Sequence, residues 1–164
     1  MFALLLAAAS PLAMEQARPQ QPDADALAII VHKSNPTEEL SLRELRRIFM
    51  LERQTWGHGR KITLVLRESG QPERAGAIRL ICEMSEEDYD RHVLLQTFRG
   101  TISQGPREIR SAAAMLRFVF NAPGAIGYVP ADSDTSLTKV VRIDGLLPGH
   151  PRYPLRQRPR IQEK

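Results

Sequence analysis

Short apolar runs along the chain predict β-strands, and the segments between them show helical periodicity. Residues 26–36 (ALAIIVHKSNP) open with a run of Ile and Val that Asn35-Pro36 ends. Residues 62–66 (ITLVL) and 125–129 (AIGYV) are similar, and 138–143 (TKVVRI) is a shorter candidate. Runs of about four to eight β-branched and apolar residues bounded by turn residues are typical of buried strands.

Helices are predicted between these strands. Ser41 and Glu44 have the spacing of a capping box, Ser85 precedes three acidic residues, and apolar positions recur with helical spacing after Ser111. The predicted helices cover residues 41–51, about 72–84, 85–98 and 111–121, and RGTISQGPRE between the last two is predicted to be a loop. Strands that alternate with helices predict an α/β fold with a mostly parallel sheet.

Length and charge indicate one globular domain. The chain has 164 residues and a net charge of +4. Its apolar fraction of 42% is enough to build a single core at this length. The positive charge lies in the Pro- and Arg-rich residues 148–164, and the remainder carries equal numbers of acidic and basic residues. We therefore predict a signal-like segment and linker (1–25), an α/β domain (26–147) and a basic tail (148–164). Without a basic, aromatic-rich face, no nucleic-acid partner is expected.

The N-terminus carries a run that is typical of an export signal. Residues 2–13 (FALLLAAASPLA) are uncharged and small or apolar, which matches a signal-peptide core and is too short to span a bilayer. Ala7-Ala8-Ala9 offers a cleavage site, although no basic residue precedes the run. We expect export to the periplasm, or a cytoplasmic location if this segment is not a signal.

The usual signatures of enzymes and metal proteins are missing from the sequence. Cys82 is the single cysteine and lies in an apolar helical stretch, where such residues are usually packed. Asp88 and His92 have the i, i+4 spacing of a metal pair, but their acidic surroundings are typical of a solvated helix start. No nucleophile elbow, Walker loop or dinucleotide-binding glycine motif occurs. We expect no catalysis, no cofactor and no metal.

The stretch VLRESGQPERAG is the best candidate for ligand binding. It joins a predicted strand to a predicted helix, and the free N–H groups of a helix start can face an anion. Arg67 supplies a forked guanidinium, Ser69 a hydroxyl, and Gly70 room for close approach. Glu68 and Glu73 would repel an anion, and Ser-Gly corners also occur for conformational reasons alone. From these residues, an anion site and a plain strand-to-helix corner both remain open.

Two other loops are expected beside this stretch. In α/β sheets, ligands gather at the carboxyl ends of strands. HKSNP, with Ser34, follows the first predicted strand, and GYVPAD, with Tyr128, belongs to the late one. We therefore expect Ser34 and Tyr128 to assist the stretch around Arg67.

The order of four landmarks resembles the type II periplasmic substrate-binding proteins. IIVHKSNP comes first, then LSLRELRRIFMLERQTWGHGRKI, then GPRE, and NAPGAIGYVP comes last. In that family an SNP strand end precedes an LS…EL…IF…W…G helix and turn, and PGAIGYV marks a late strand. The closest branch is the phosphate ABC-transporter group with its short, single-lobe relatives. The resemblance spans about residues 26–131.

This resemblance implies a single α/β lobe with a mixed central sheet flanked by helices. In the full-length phosphate binders, the ligand lies between two such lobes. An arginine and a Ser-Gly-Thr turn at a helix N-terminus hold it, and an acid accepts the hydrogen of hydrogenphosphate. Carried over, Arg67, Ser69 and Gly70 match in type and Glu68 stands for the acid, whereas Gln71 stands where the pattern has threonine.

The expected function is that of an exported, non-enzymatic solute-binding-protein-like domain. It would bind inorganic phosphate or a related oxyanion through Ser34, Arg67, Glu68, Ser69, Gly70, Gln71 and Tyr128. An ABC transporter or another envelope protein is the expected partner, and a homodimer would supply a second wall. The alternative is a degenerate lobe that acts as a protein-interaction module in an envelope or transporter assembly, with the basic tail docking on an acidic surface or anionic lipid.

Overall fold

Seven strands and four helices make up residues 25–157, the part of the chain that the computed structural model describes. The strands are β1 (Leu27–Val31), β2 (Glu39–Leu40), β3 (Thr63–Arg67), β4 (Arg107–Ile109), β5 (Ala125–Pro130), β6 (Lys139–Val140) and β7 (Arg142–Ile143). The helices are α1 (Leu42–Phe49), α2 (Pro72–Cys82), α3 (Glu86–Phe98) and α4 (Ala112–Asn121). The predicted signal sequence lies outside the described residues.

Local sequence signals predicted most of these elements correctly. The Ser41 hydroxyl accepts from the Glu44 amide while the Glu44 carboxylate accepts from the Ser41 amide, so the predicted capping box is confirmed. Ser85 caps α3 as predicted, and Ser111 caps α4 at the predicted start of that helix. The segment 138–143 forms two short strands rather than one, and these belong to different sheets.

The strand β4 was predicted to be part of a loop, and that prediction is wrong. It has three residues, none of them fully buried, and it pairs only with β3 at the edge of the sheet. Its sequence, Arg-Glu-Ile, is too short and too polar to show the apolar alternation by which a strand is predicted. Pairing with a neighbour, not local preference, makes it a strand.

The main sheet is mixed, with strand order β4-β3-β5-β1-β6. The strand β3 runs parallel to β4 and β5, whereas β1 runs antiparallel to β5 and β6. The expectation of a mostly parallel sheet is thus wrong at β1, and the mixed sheet implied by the resemblance is confirmed. The strands β2 and β7 form a separate parallel pair.

Alternate residues of the sheet face two separate apolar cores. On one face, Leu64, Leu66 and Tyr128 pack in a core with residues of α1, α2 and α3. On the other, Val65 packs with Met115 and other residues of α4. The domain is therefore a three-layer α/β/α structure. None of its described helices is long and apolar enough to cross a bilayer.

The approach of α4 to the sheet explains a glycine in β5. A Cβ atom placed on Gly127 would lie 2.6 Å from the Met115 sulfur, which is closer than atoms in a packed core approach one another. Glycine therefore lets α4 lie directly on β5. This contact helps to fix β5, whose next residue, Tyr128, reaches the end of β3.

The segment after residue 147 belongs to the domain as far as it is described. The Leu27 amide donates to the Leu155 carbonyl over 2.9 Å, and the Tyr153 hydroxyl donates to the Leu27 carbonyl over 2.9 Å. Both Tyr153 and Leu155 are buried in the larger core. The predicted domain boundary at residue 147 is therefore too early, because tertiary contacts override the polar and proline-rich composition of this segment.

This boundary makes a prediction about two leucines. Leu155→Ala should lower the free energy of unfolding by about 3 kcal/mol, because the leucine is fully buried and its removal leaves a cavity. Leu147→Ala, the same change at a side chain that is 51% exposed, should cost less than about 0.5 kcal/mol. Urea denaturation followed by circular dichroism measures both values. Similar, small losses in both variants would mean that the segment does not support the core.

Candidate functional site

The parallel strands β3, β4 and β5 end at one edge of the sheet, and the candidate loop lies there. Glu68, Ser69, Gly70 and Gln71 connect β3 to α2. The Glu68 amide donates to the Ile109 carbonyl at the end of β4, which fixes the start of the loop against its neighbour. The carboxyl ends of parallel strands are the usual place for ligands in α/β sheets.

The loop turns sharply into α2. Gly70 has a φ angle of +79°, a left-handed conformation that glycine adopts without strain. Gln71 is the N-cap residue and makes no side-chain capping bond, and Pro72 occupies the first turn. Proline is favoured there because its missing N–H would have had no partner inside the helix. The predicted strand-to-helix turn is thus present.

Arg67, the last residue of β3, carries a buried guanidinium with few hydrogen-bond acceptors among the described residues. Its side chain is only 9% exposed, and within residues 25–157 its Nε and Nη1 atoms have no hydrogen-bond partner. Its Nη2 atom is 4.0 Å from the Glu73 Oε2 atom, which is too long for a hydrogen bond. Buried guanidinium groups normally use their N–H groups in pairs with acceptors, so these donors need an explanation.

The carboxylate of Glu86 occupies the donors of the loop. Its Oε1 atom accepts from the Ser69 hydroxyl over 3.1 Å and from the Gly70 amide over 3.0 Å. Glu86 is the first residue of α3 and lies 17 positions further along the chain than Ser69. This contact was not predicted, since the acidic start of α3 is typical of a solvated helix start and no local pattern joins the two segments.

Arg74 holds the acidic side chains of three elements around the loop. Its guanidinium contacts Glu86 on α3 (Nε to Oε1, 2.9 Å, without the alignment of a hydrogen bond), Asp90 on α3, and Glu108 on β4 (2.7 Å). It also donates to the Arg67 carbonyl over 3.1 Å. Burial opposes the charged form, but Asp90 and Glu108 outweigh it and raise the pKa of Arg74 above its ordinary value. No sequence signal distinguished this arginine.

Tyr128 lies beside Arg67, as the sequence analysis expected. Its hydroxyl accepts from the Arg67 amide over 3.1 Å, and its side chain is fully buried in the core. Burial raises the pKa of this phenol well above its ordinary value, with the Arg67 amide and two arginine charges partly opposing that rise. Tyr128 thus stays a neutral phenol that fixes the end of β3, and its predicted contact with a ligand stays a prediction.

Glu68 lies at the outer side of the loop. Its side chain is 40% exposed, and its Oε2 atom is 3.5 Å from the Nε atom of Arg110, which is itself 86% exposed. The carboxylate is therefore solvated and close to a cation. Its predicted role as the acceptor of a hydrogen from hydrogenphosphate stays a prediction.

Ser34 is not brought to this site. The β1 residue Val31 pairs with Ile126 of β5, which in turn pairs with Leu64 of β3. The chain leaves β1 in the direction opposite to β3, so Ser34 and Arg67 are separated by at least about 10 Å, the length of three strand residues. The Ser34 hydroxyl lies 2.8 Å from the His32 Nδ1 atom at that opposite edge. The expectation that the HKSNP loop shares an edge with RESGQP is wrong, because β1 is antiparallel.

Other candidate chemistry has structural partners instead. The His92 Nε2 atom lies 3.0 Å from the Met50 carbonyl, whereas Asp88 pairs with Arg91 over 2.8 Å. Among the described residues, no three His, Cys, Asp or Glu side chains are grouped so that they could hold a metal. Cys82 is buried, and burial raises the pKa of its thiol to about 12, so the thiol stays protonated at neutral pH.

A cavity of about 810 Å³ lies away from the loop, at the beginning of β3. Its wall includes Arg53, Lys61, Arg107 and Phe118 and none of the predicted ligand residues. The ring of Phe118 is 5.4 Å from the guanidinium carbon of Arg107. Exposed loop side chains make up much of this wall, whereas the buried, unpaired donors lie at the Arg67 edge.

Solved structures of phosphate transport proteins share this fold. The ABC-type phosphate transport receptor of Vibrio cholerae superposes with a TM-score of 0.62 at 20% identity, over 76% of this chain and 48% of its own. PstS of Borrelia burgdorferi gives 0.61 at 15% identity, over 81% and 55%. The phosphate-binding protein of Stenotrophomonas maltophilia gives 0.57 at 18% identity, over 76% and 40%.

These likenesses confirm the predicted fold, a single α/β lobe with a mixed central sheet, which is shared with part of each of these phosphate transport proteins. The chain spans about half the length of the solved structures that it matches. No protein-family model and no curated protein matches the sequence. At this level of identity the likeness establishes the fold, and the ligand has to be argued from the site.

The Arg74 cluster predicts a large stability difference between two arginines. Arg74→Met should lower the free energy of unfolding by about 3 kcal/mol, because it leaves the carboxylates of α3 and β4 without their buried cation. Arg91→Met removes the same charge from a side chain that is 59% exposed and paired with two acids, and should cost at most about 1 kcal/mol. Urea denaturation gives both values. Equal losses would show that the Arg74 cluster does not hold the loop, α3 and β4 together.

Proposed function

We propose that this chain is a non-enzymatic solute-binding domain that binds an oxyanion, phosphate by default, at residues 67–71. The observation that carries the proposal is the guanidinium of Arg67, which is nine-tenths buried and has two N–H-bearing nitrogens without a partner among the described residues. Charged N–H groups without a protein acceptor are suited to the oxygens of an oxyanion.

The energetics of burial favour a ligand at this position. A charged donor that loses water without gaining an acceptor costs about 1–3 kcal/mol or more. Glu73 does not offset this cost by hydrogen bonding, since its Oε2 atom is 4.0 Å away and is itself without a hydrogen-bond partner in the described part of the chain. A phosphate oxygen beside Arg67 would remove the penalty for the arginine.

The loop supplies further donors in the right order along the chain. Ser69 and Gly70 follow Arg67 directly and already bind one carboxylate oxygen, that of Glu86. This contact demonstrates that their donors can converge on a single acceptor. Gln71 begins α2, whose positive end adds a favourable field for an anion.

The surrounding charges limit the affinity that we expect. Glu73, Glu86 and Glu108 lie close to the arginines of the site and oppose a doubly charged anion. We expect a dissociation constant on the order of 1 mM for phosphate, which corresponds to about −4 kcal/mol. Tighter binding would need a second wall, and a second copy or a transporter protein of the envelope is the partner that we propose for it.

The comparisons support phosphate over other oxyanions and transport over catalysis, because the solved relatives named above are phosphate transport receptors and binding proteins. They do not favour the alternative of an interaction module. Export to the periplasm belongs to the same proposal and rests on the N-terminal sequence.

Arg67 provides the test. In a phosphate titration at constant ionic strength, followed by ¹⁵N NMR, the Gly70 amide should shift saturably in the wild type. Arg67→Met should weaken phosphate binding by about 10- to 100-fold, because it removes charge-assisted hydrogen bonds. Arg110→Met is the matched control, since it removes the same charge from an exposed side chain near the loop, and it should weaken binding by less than about threefold.

Sulfate at the same ionic strength is the second control. Equal losses of phosphate affinity in the two arginine variants would mean that general charge attraction, and not a specific site at Arg67, accounts for the binding. The absence of any saturable shift with phosphate or sulfate would reject the proposed function.

A further inference from the structure

The carboxylate of Glu86 sits where a ligand of the loop would sit. One of its oxygens receives the Ser69 hydroxyl and the Gly70 amide, at 3.1 and 3.0 Å, and lies 2.9 Å from the Arg74 Nε atom. A hydroxyl, a backbone amide and a guanidinium around one anionic oxygen form the kind of pocket that also receives an oxygen of phosphate.

We infer that Glu86 is a built-in competitor of the oxyanion, which sets the affinity of the site by occupying the Ser69 and Gly70 donors until a ligand displaces it. This inference rests on the proposed function and adds a specificity-determining residue to it. Because ligand and carboxylate compete for the same donors, the apparent affinity equals the intrinsic affinity multiplied by the fraction of molecules with Glu86 displaced.

The surroundings allow this displacement without disrupting the fold. The Glu86 side chain is 20% exposed, so its carboxylate has a route to solvent. Arg74 keeps Asp90 and Glu108 as partners when Glu86 leaves. The Ser85 side chain still caps α3 through the Asp88 amide, so the start of the helix is held independently of Glu86.

Arg67 and Glu86 have different roles in the proposed site. The donors of Ser69 and Gly70 are occupied by the protein itself, whereas two nitrogens of the Arg67 guanidinium have no partner within residues 25–157. An anion that takes the Ser69 and Gly70 donors has to exchange with Glu86 at the loop. A merely structural clamp between the loop and α3 would involve no such exchange, which separates the two interpretations experimentally.

The test compares two adjacent glutamates. Glu86→Gln keeps the size of the side chain and an amide oxygen for Ser69 and Gly70 but removes the negative charge. It should lower the dissociation constant for inorganic phosphate by at least about tenfold, because a neutral competitor is displaced more easily. Glu87→Gln removes the same charge one residue later from a side chain that is 86% exposed and bound to Arg91, and should change that constant by less than about twofold.

The outcomes separate this inference from the proposed function. If the wild type binds phosphate in an Arg67-dependent manner and Glu86→Gln binds no more tightly than Glu87→Gln, the competitor is rejected and the anion site stands. If Glu86→Gln binds phosphate and the wild type does not, the competitor is supported, whereas the proposed function is rejected for the wild-type chain, whose site Glu86 keeps closed. If neither binds, both ideas are overturned.

A second variant keeps the test valid if Glu86→Gln does not fold. Glu86→Asp retains the charge but shortens the side chain by one methylene group, which draws the carboxylate away from Ser69 and Gly70. It should also tighten phosphate binding, by at least about threefold, because a retracted carboxylate competes less well for short hydrogen bonds. An unchanged dissociation constant in this variant would equally reject the competitor.

Discussion

The buried guanidinium of Arg74 ties together the polar ends of four elements, α2, α3, β3 and β4, at one end of the sheet. It contacts Glu86 and Asp90 on α3, Glu108 on β4 and the carbonyl of Arg67 at the end of β3. A cation out of water is tolerated only with such a set of acceptors. The contact of Glu86 with the loop is therefore stabilised by this one side chain, which supplies the cation beside it.

The direction of β1 is the second constraint on the site. Since β1 is antiparallel to β5, the two loops that the sequence analysis placed together lie at opposite edges, and Ser34 is separated from Arg67. Strand direction is a property of long-range pairing, and no local pattern in residues 26–36 could reveal it. The order of landmarks did imply a mixed sheet, but it did not indicate at which end of the sheet each loop lies.

Features formed by residues that are close together in the chain were predictable from the sequence. The cap of α1 by Ser41, the turn at Gly70 and the entry of Pro72 into α2 follow from residue types at short spacing, and all three are present. The contact of Glu86 with Ser69 and the burial of Leu155 against Leu27 join residues that are distant in the chain. These contacts depend on how finished elements pack, so composition pointed to a polar tail and a solvated helix start instead.

A plain strand-to-helix corner would account for part of the loop but not for Arg67. Conformation alone explains Gly70 and Pro72, and Glu86 satisfies Ser69 without help from a ligand. An arginine that is nine-tenths buried, with two unpaired nitrogens in the described structure, adds nothing to such a corner, since an apolar side chain of similar volume would avoid the cost of about 1–3 kcal/mol. Buried polar groups without a protein partner in native proteins are explained by a bound ion, by ordered water or by a functional role. The arginine therefore favours an anion site over a structural turn, and the carboxylate of Glu86 explains how the other donors stay satisfied when that site is empty.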